Sequence, residues 1–314
     1  MRRTRNVFLI AGWLALVCAG HARAECKMVL ASRLPVTQSK SRLLVPAMLN
    51  NKPAQFVLDT GASTSLLASK AVDRLGLRIM SSEEFSSMRA RVGGIGGERA
   101  TIGVTARSFE LGGLHARGFN FIAADLGGTV ADGLLSVDLI SNYDVDLDLE
   151  EHQVVLYKPV GDCSAPAAFL SGPLYAVPMV RTGNDQRPRV HVTIGGQDFI
   201  ALIDTGASSS AIFRSAAAKL GIGASQLTAD RRSTVIGVGP RHVTAARHVF
   251  ESITVGDLSI ANMPIDVLDN PRLDSVDMLL GIDFQSSVHL WISYSSNTLI
   301  MQYPPQPSKK MSAG

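Results

Sequence analysis

Gln55-Phe56-Val57-Leu58-Asp59-Thr60-Gly61-Ala62-Ser63 and Ile200-Ala201-Leu202-Ile203-Asp204-Thr205-Gly206-Ala207-Ser208 are two versions of one phrase, each delivering Asp-Thr-Gly-Ala-Ser at the end of an apolar run. The two aspartates stand 145 positions apart. Internal repeats are found by sliding a chain along itself, and at this offset the match continues outward in both directions. Val45 meets Val190, Leu58 meets Ile203, and Leu75-Gly76-Leu77 meets Leu220-Gly221-Ile222. Farther on, Asp132-Gly133-Leu134-Leu135-Ser136-Val137-Asp138-Leu139 faces Asp277-Met278-Leu279-Leu280-Gly281-Ile282-Asp283-Phe284, and Gln153 to Tyr157 faces Thr298 to Gln302. A whole lobe is duplicated, and each half carries one carboxylate of a matched pair.

Between the halves, Lys158 to Ala168 and then Ser171-Gly172-Pro173 are rich in Pro, Gly and small residues, as a linker is. The expected organisation is a leader over 1–24, a first lobe over 25–160, a linker over 161–173, a second lobe over 174–303 and a disordered tail over 304–314. Each lobe is large enough for its own core. Short apolar or alternating runs recur between Gly-rich turns, as in Arg189 to Ile194, then Gly195-Gly196, then Phe199 to Ile203, which is the pattern of hairpins. Helical spacing is confined to Leu66 to Leu75, Ile212 to Leu220, and the surroundings of Asp138 to Ile140 and Asp283 to Phe284. The expected fold class is mainly β, with one or two short helices per lobe.

Residues 1–24 combine three early arginines, a 14-residue apolar stretch from Val7 to Gly20, and Ala22-Arg23-Ala24. That is the layout of a secretory signal cleaved after Ala24, and the stretch is shorter than the ~20 residues of a spanning helix, an uncleaved anchor being the alternative. A periplasmic or secreted protein without a stable membrane span is expected. The formal charge of +3 includes Arg2, Arg3, Arg5 and Arg23 of the leader, so the remainder carries −1. Such a balance offers no electrostatic reason to bind nucleic acid, and Arg231-Arg232 reads as a solvated pair on a loop. Beyond the leader only Cys26 and Cys163 remain. In an oxidising compartment they are expected to pair, two unpaired thiols being the alternative, and so long a loop would contribute about 4 to 5 kcal/mol in the chain-entropy picture.

An apolar strand that carries an aspartate into a turn holds the carboxylate rigidly, as acid–base work requires. Two such carboxylates meeting across a lobe interface repel each other and share one proton. One of them can then activate water while the other donates a proton to a peptide carbonyl, without a covalent intermediate, metal or cofactor. Gly61 and Gly206 leave backbone N–H groups free to approach the carboxylates. Thr60 and Thr205 offer hydroxyls that tie each loop to the opposite lobe. Ser63 and Ser208 are expected to hydrogen-bond outward from the carboxylates and orient them.

These residues resemble the retropepsin-like aspartic proteases, in the single-chain, two-lobe form of bacterial periplasmic members. The resemblance covers both lobes, through apolar-apolar-Asp-Thr-Gly-Ala-Ser and, 73 residues after the aspartate, a second apolar pair leading into a short helix. It implies two β-barrel lobes related by a pseudo-twofold axis, with Asp59 and Asp204 as the catalytic dyad of an endopeptidase acting on an extended polypeptide. It also implies flap hairpins over the cleft, which fit Gly94, Ile95 and Gly96 in lobe one and Gly237, Val238 and Gly239 in lobe two. With both half-sites in one chain, a monomer suffices. The family's apolar-apolar-Gly is intact at Leu279-Leu280-Gly281, whereas lobe one has Leu134-Leu135-Ser136, which puts rate in question more than fold. Alanine follows Asp-Thr-Gly in both copies where pepsins often carry a hydroxyl, so a mildly acidic optimum is expected. The alternative reading is a weakly active or inactive module that binds peptide in the same cleft.

Asp144, Asp146, Asp148 and Glu150 alternate with Val145, Leu147 and Leu149, which places the acids on one strand face. Calcium loops turn around glycine instead, so a solvated strand face is expected and no metal site. Gly93 to Gly97 lacks the Lys-Ser/Thr of a phosphate loop.

Overall fold

The computed structural model describes residues 26–39, 41–86, 92–95, 97–127, 131–161, 163, 170, 172–237, 242–269 and 276–304. The leader, most of the linker and the tail beyond Pro304 lie outside them, as do the flap positions Gly96, Val238 and Gly239.

Each lobe begins with a hairpin whose turn has two successive residues at positive φ, Asn50 and Asn51 (50° and 63°) in lobe one and Gly195 and Gly196 (56° and 74°) in lobe two. Turns of this hand match the twist of the strands they join. The hairpins are Arg42–Leu49 with Lys52–Asp59 and Arg189–Ile194 with Gln197–Ile203. In lobe one the sheet continues through Gly133–Ser136, Leu66–Ala68, Leu114–Ala124 and Thr101–Leu111, and Arg42–Leu49 pairs back to Thr101–Leu111 to close a barrel. Lobe two repeats this with Met278–Leu280, Ala211–Phe213, Leu258–Leu268 and His242–Val255, closed by Arg189–Ile194. The fold is mainly β, with two homologous barrel lobes and a few short helices.

A third sheet joins the lobes. Its order is Lys27–Pro35, Gln153–Val160, Asp144–Asp148, His289–Ser293, Thr298–Gln302, Leu174–Pro178, three strands from each half. The central pair is antiparallel, with Asp146 opposite Trp291, and adding 145 to Asp144–Asp148 lands on His289–Ser293, so the pseudo-twofold axis runs between them. Tyr157 stacks on the fully buried Trp291 with ring centroids 5.2 Å apart. On this face Cys26 and Cys163 form a disulfide that closes the first half onto itself.

Two expectations are corrected here. Asp144, Asp146 and Asp148 are buried, and only Glu150 is exposed. The reason is their central position in the shared sheet, where His289–Ser293 of the other lobe supplies their partners. His289 Nε2 lies 2.5 Å from Asp146 Oδ1, and Ser293 and Ser295 donate to Asp144 Oδ2 at 2.8 and 2.9 Å. Asp148 instead accepts from the backbone N–H of Glu151 at 3.1 Å. The second correction concerns Leu66 to Leu75, where helical spacing gives way to the strand Leu66–Ala68, hydrogen-bonded in parallel to Leu114–Ala124, before a single 3-10 turn at Ser69–Ala71. Ile212 to Leu220 behaves similarly, opening in the strand Ala211–Phe213, but its helix Arg214–Lys219 does form.

Candidate active site

Asp59 ends the strand Lys52–Asp59, and Asp204 follows Gln197–Ile203 directly. In each lobe this strand runs parallel to the one bearing the second apolar pair, with Leu58 beside Leu135 and Ile203 beside Leu280. The aspartate is therefore presented from a buried two-strand platform.

The loops then fold back onto their own carboxylates. Asp59 Oδ1 accepts the N–H groups of Gly61 and Ala62, both at 3.0 Å, and Asp204 Oδ1 accepts those of Gly206 and Ala207 at 2.9 and 3.1 Å. The threonines cross between lobes. Thr60 N–H donates to Thr205 Oγ1 at 2.9 Å and Thr205 N–H to Thr60 Oγ1 at 3.0 Å, while the hydroxyls donate to Ile203 O and Leu58 O at 2.6 and 2.8 Å. Each carboxylate lies against the glycine of the opposite loop: a β-carbon on Gly61 would stand 2.3 Å from Asp204 Cγ, and one on Gly206 2.6 Å from Asp59 Cγ. No side chain fits at either position while the two acids face each other.

Crowding by protein atoms raises the proton affinity of both acids. For Asp204, burial first and the charge of Asp59 second push the pKa up to about 7. For Asp59, burial also raises it, against the N–H groups of Ala62 and Gly61 and the positive fields of Arg42 and Arg187. Like charges at this proximity oppose each other, so ionisation of either acid makes ionisation of its neighbour less favourable.

Ser63 and Ser208 do not orient the carboxylates. Both are exposed on the cleft wall, and among the described residues neither hydrogen-bonds to the dyad or its loops. Bracing comes from Ser65 and Ser210, which sequence reasoning passed over. Ser65 donates its N–H and hydroxyl to Asp138 at 2.9 and 2.6 Å and accepts the Ser136 N–H at 2.9 Å. Ser210 does the same with Asp283, at 2.8 and 2.7 Å, and accepts the Gly281 N–H at 3.0 Å. The signal was present in the 145-residue register, which aligns Ser65 with Ser210 and Asp138 with Asp283.

The Ser136 departure has a local effect. Gly281 has no room for a side chain, since a β-carbon there would lie 2.5 Å from Ser209 C and 2.9 Å from Ala207 O. Lobe one accommodates Ser136 by holding its loop more loosely: Val137 N–H reaches Ala62 O at 3.4 Å, against 2.9 Å for Ile282 N–H to Ala207 O. The Ser136 hydroxyl is buried and, among the described residues, has no hydrogen-bond partner.

Above the dyad lies a cleft of about 1080 Å³. Its apolar walls are paired by the repeat, Val57 with Leu202, Leu66 with Ala211, and Leu134 with Leu279. A two-stranded hairpin, Val92–Gly94 with Gly97–Arg99, carries Ile95 at its tip, and Arg231–Ile236 with His242–Val255 forms the lobe-two counterpart. Arg231 and Arg232 therefore belong to a strand rather than a loop. Ile95 packs on the apolar cluster of lobe two, and a β-carbon on Gly237 would be 3.3 Å from Ile95 Cβ, so the two hairpins meet over the cleft.

A profile of the aspartyl protease family matches residues 45–139 and, separately, 190–284, two segments displaced by the same 145 residues as the aspartates. The chain belongs to the aspartyl protease family. Aspartyl protease folds are also its structural likeness: an aspartic proteinase from Irpex lacteus superposes with a TM-score of 0.54 at 14% identity, over 86% of this chain and 96% of that one. At that identity the likeness concerns the fold alone. No curated protein matches the chain in sequence.

Proposed function

We propose that the chain is an aspartic endopeptidase that hydrolyses an extended polypeptide in the cleft between its lobes, with Asp59 and Asp204 as a dyad sharing one proton. The observation that carries this reading is the reciprocal Thr60–Thr205 lock, which sets each carboxylate over the other loop's glycine. In such a pair the ionised carboxylate takes a proton from water as its oxygen attacks the scissile carbonyl. The protonated partner hydrogen-bonds to the carbonyl oxygen as charge develops there, and a proton then passes to the leaving amine. Neither carboxylate forms a bond to substrate, so no nucleophilic side chain is required. The matched apolar walls suit side chains on both sides of the scissile bond, and the hairpins would close over the bound peptide.

An oxidising location, periplasmic or extracellular, agrees with the Cys26–Cys163 disulfide. Among the described residues no helix is long and apolar enough to cross a membrane. Both half-sites come from one chain, so the monomer is the proposed active form.

The test is digestion of casein and of a peptide library by wild type, Asp59→Asn and Asp204→Asn, with and without a pepstatin-type inhibitor. Cleavage by wild type that both substitutions reduce at least ~10³-fold is expected. Absence of wild-type cleavage from pH 3 to 8 would leave peptide binding as the function of this cleft, and full activity in either variant would rule out the shared dyad.

A further inference from the structure

Four arginines line the cleft, Arg42, Arg187, Arg231 and Arg247. Two are already matched by carboxylates. The Arg187 guanidinium holds Asp185 through Nε at 3.0 Å and a terminal nitrogen at 2.7 Å, and Arg247 reaches Asp266 at 3.2 Å and Asp283 at 3.7 Å. Arg42 differs. It is the pseudo-twofold equivalent of Arg187, 145 positions earlier, and it opens the strand Arg42–Leu49 half-buried at the cleft. Among the described residues no carboxylate forms an ion pair with it, and its positive field falls on Asp59.

The difference between the two walls is written in the register. Asp185, which pairs with Arg187 and also with the buried Arg189, aligns with Lys40 in lobe one, so the lobe-one arginine has no acid at the corresponding place. A guanidinium partly removed from water without a partner is unfavourable, and its planar fork matches a carboxylate in two parallel hydrogen bonds. Outside the dyad and the ion pairs, the other carboxylate on the cleft among the described residues is Glu98, which is exposed on the hairpin rather than set into a wall.

We propose that Arg42 forms a subsite for an acidic side chain of the substrate, so that the enzyme selects Asp or Glu on one side of the scissile bond and not symmetrically on both. This rests on the peptide-cleft reading above and assigns it a substrate class. Arg231, exposed on the lobe-two hairpin strand, adds positive potential to the same cleft but no fixed subsite.

The experiment pairs cleavage with binding. Wild type, Arg42→Gln and Arg42→Glu are given a peptide library and one matched pair of peptides that differ only by Glu or Gln at the selected position. Wild type is expected to enrich acids on one side and to prefer the Glu peptide about 10-fold or more in kcat/KM. Arg42→Gln should bring that ratio close to one, and Arg42→Glu should transfer the preference to Lys or Arg. The ratio is taken within each enzyme at one pH, because the Arg42 charge also acts on the dyad and scales both peptides alike. Peptides with amidated C-termini separate a side-chain carboxylate from a terminal one, and a preference that follows the terminal carboxylate overturns the proposal.

Binding of the same labelled peptides to Asp59→Asn, followed by fluorescence anisotropy, separates the two layers of inference. Cleavage without acid preference overturns the Arg42 subsite and leaves the protease intact. If nothing is cleaved, Glu-peptide binding about 10-fold tighter than Gln and lost on Arg42→Gln supports the subsite, whereas equal binding overturns it.

Discussion

Asp146 of the first half and His289 of the second meet at 2.5 Å inside the sheet that joins the lobes, both with 2% or less of their surface exposed. Removing either breaks a buried pair, which costs about 3 to 5 kcal/mol. Asp146→Ala and His289→Ala should each lower stability by roughly that amount, and the double variant by less than the sum. Urea unfolding of the four proteins gives the coupling energy, and strictly additive losses would show that the contact is not energetically real.

The threonine lock predicts a sharp distinction between alanine and serine. Thr205→Ala removes a hydroxyl that accepts the Thr60 N–H and donates to Leu58 O, orphaning two buried backbone groups. At about 1 to 3 kcal/mol per orphan, the loss should be measurable by thermal unfolding, and kcat should fall because the carboxylates lose their register. Thr205→Ser keeps the hydroxyl and should retain most of both. Equal behaviour of the two variants would falsify the lock as the element that aligns the dyad.

Proton linkage makes a prediction with a definite sign. The native Asp204 carboxyl is pushed above its ordinary value, to about 7, chiefly by burial. Between the ordinary carboxylate range and neutrality, the native state therefore holds a proton that the unfolded chain has released. Its contribution to stability is largest at low pH and declines as pH rises through that window. Asp204→Asn cannot ionise, so it should be more stable than wild type near pH 7.5, by about 1 to 3 kcal/mol, with the gap narrowing toward pH 4. Activity, if present, should fall off toward neutral pH as the shared proton is lost. A gap that widens on acidification would contradict the raised affinity.

Ser136 and Gly281 occupy equivalent positions with opposite tolerances. Ser136→Ala removes a buried hydroxyl that has no partner among the described residues and should stabilise the protein by about 1 kcal/mol. Gly281→Ala drives a β-carbon to 2.5 Å from the Ser209 backbone and should cost about 2 to 4 kcal/mol. Differential scanning calorimetry of both variants decides it, and a stabilised Gly281→Ala would mean that the lobe-two loop is as loose as its counterpart.

The candidate site was legible in the sequence to an unusual depth because its parts are local phrases repeated at one offset. Asp59 and Asp204, the Thr–Gly loops and the apolar pairs beneath them all recur at 145 residues, and a duplicated lobe must bring equivalent positions to one axis. Ser65 and Asp138 were recoverable by the same rule, since their counterparts Ser210 and Asp283 are identical, but the nearer Ser63 and Ser208 drew the assignment by adjacency alone.

What the sequence by itself determined was therefore the duplication, the paired Asp-Thr-Gly loops and the mainly β architecture, because strand alternation and turn residues are encoded within a few neighbouring positions. Tertiary structure alone decided which acids are buried and what covers them. Alternation at Asp144 to Glu150 says that the acids share a face, but not that His289 and Ser293 of the other half will cover it. Contacts of this kind are made between segments far apart in the chain, so their partners exist only after the lobes have closed on each other.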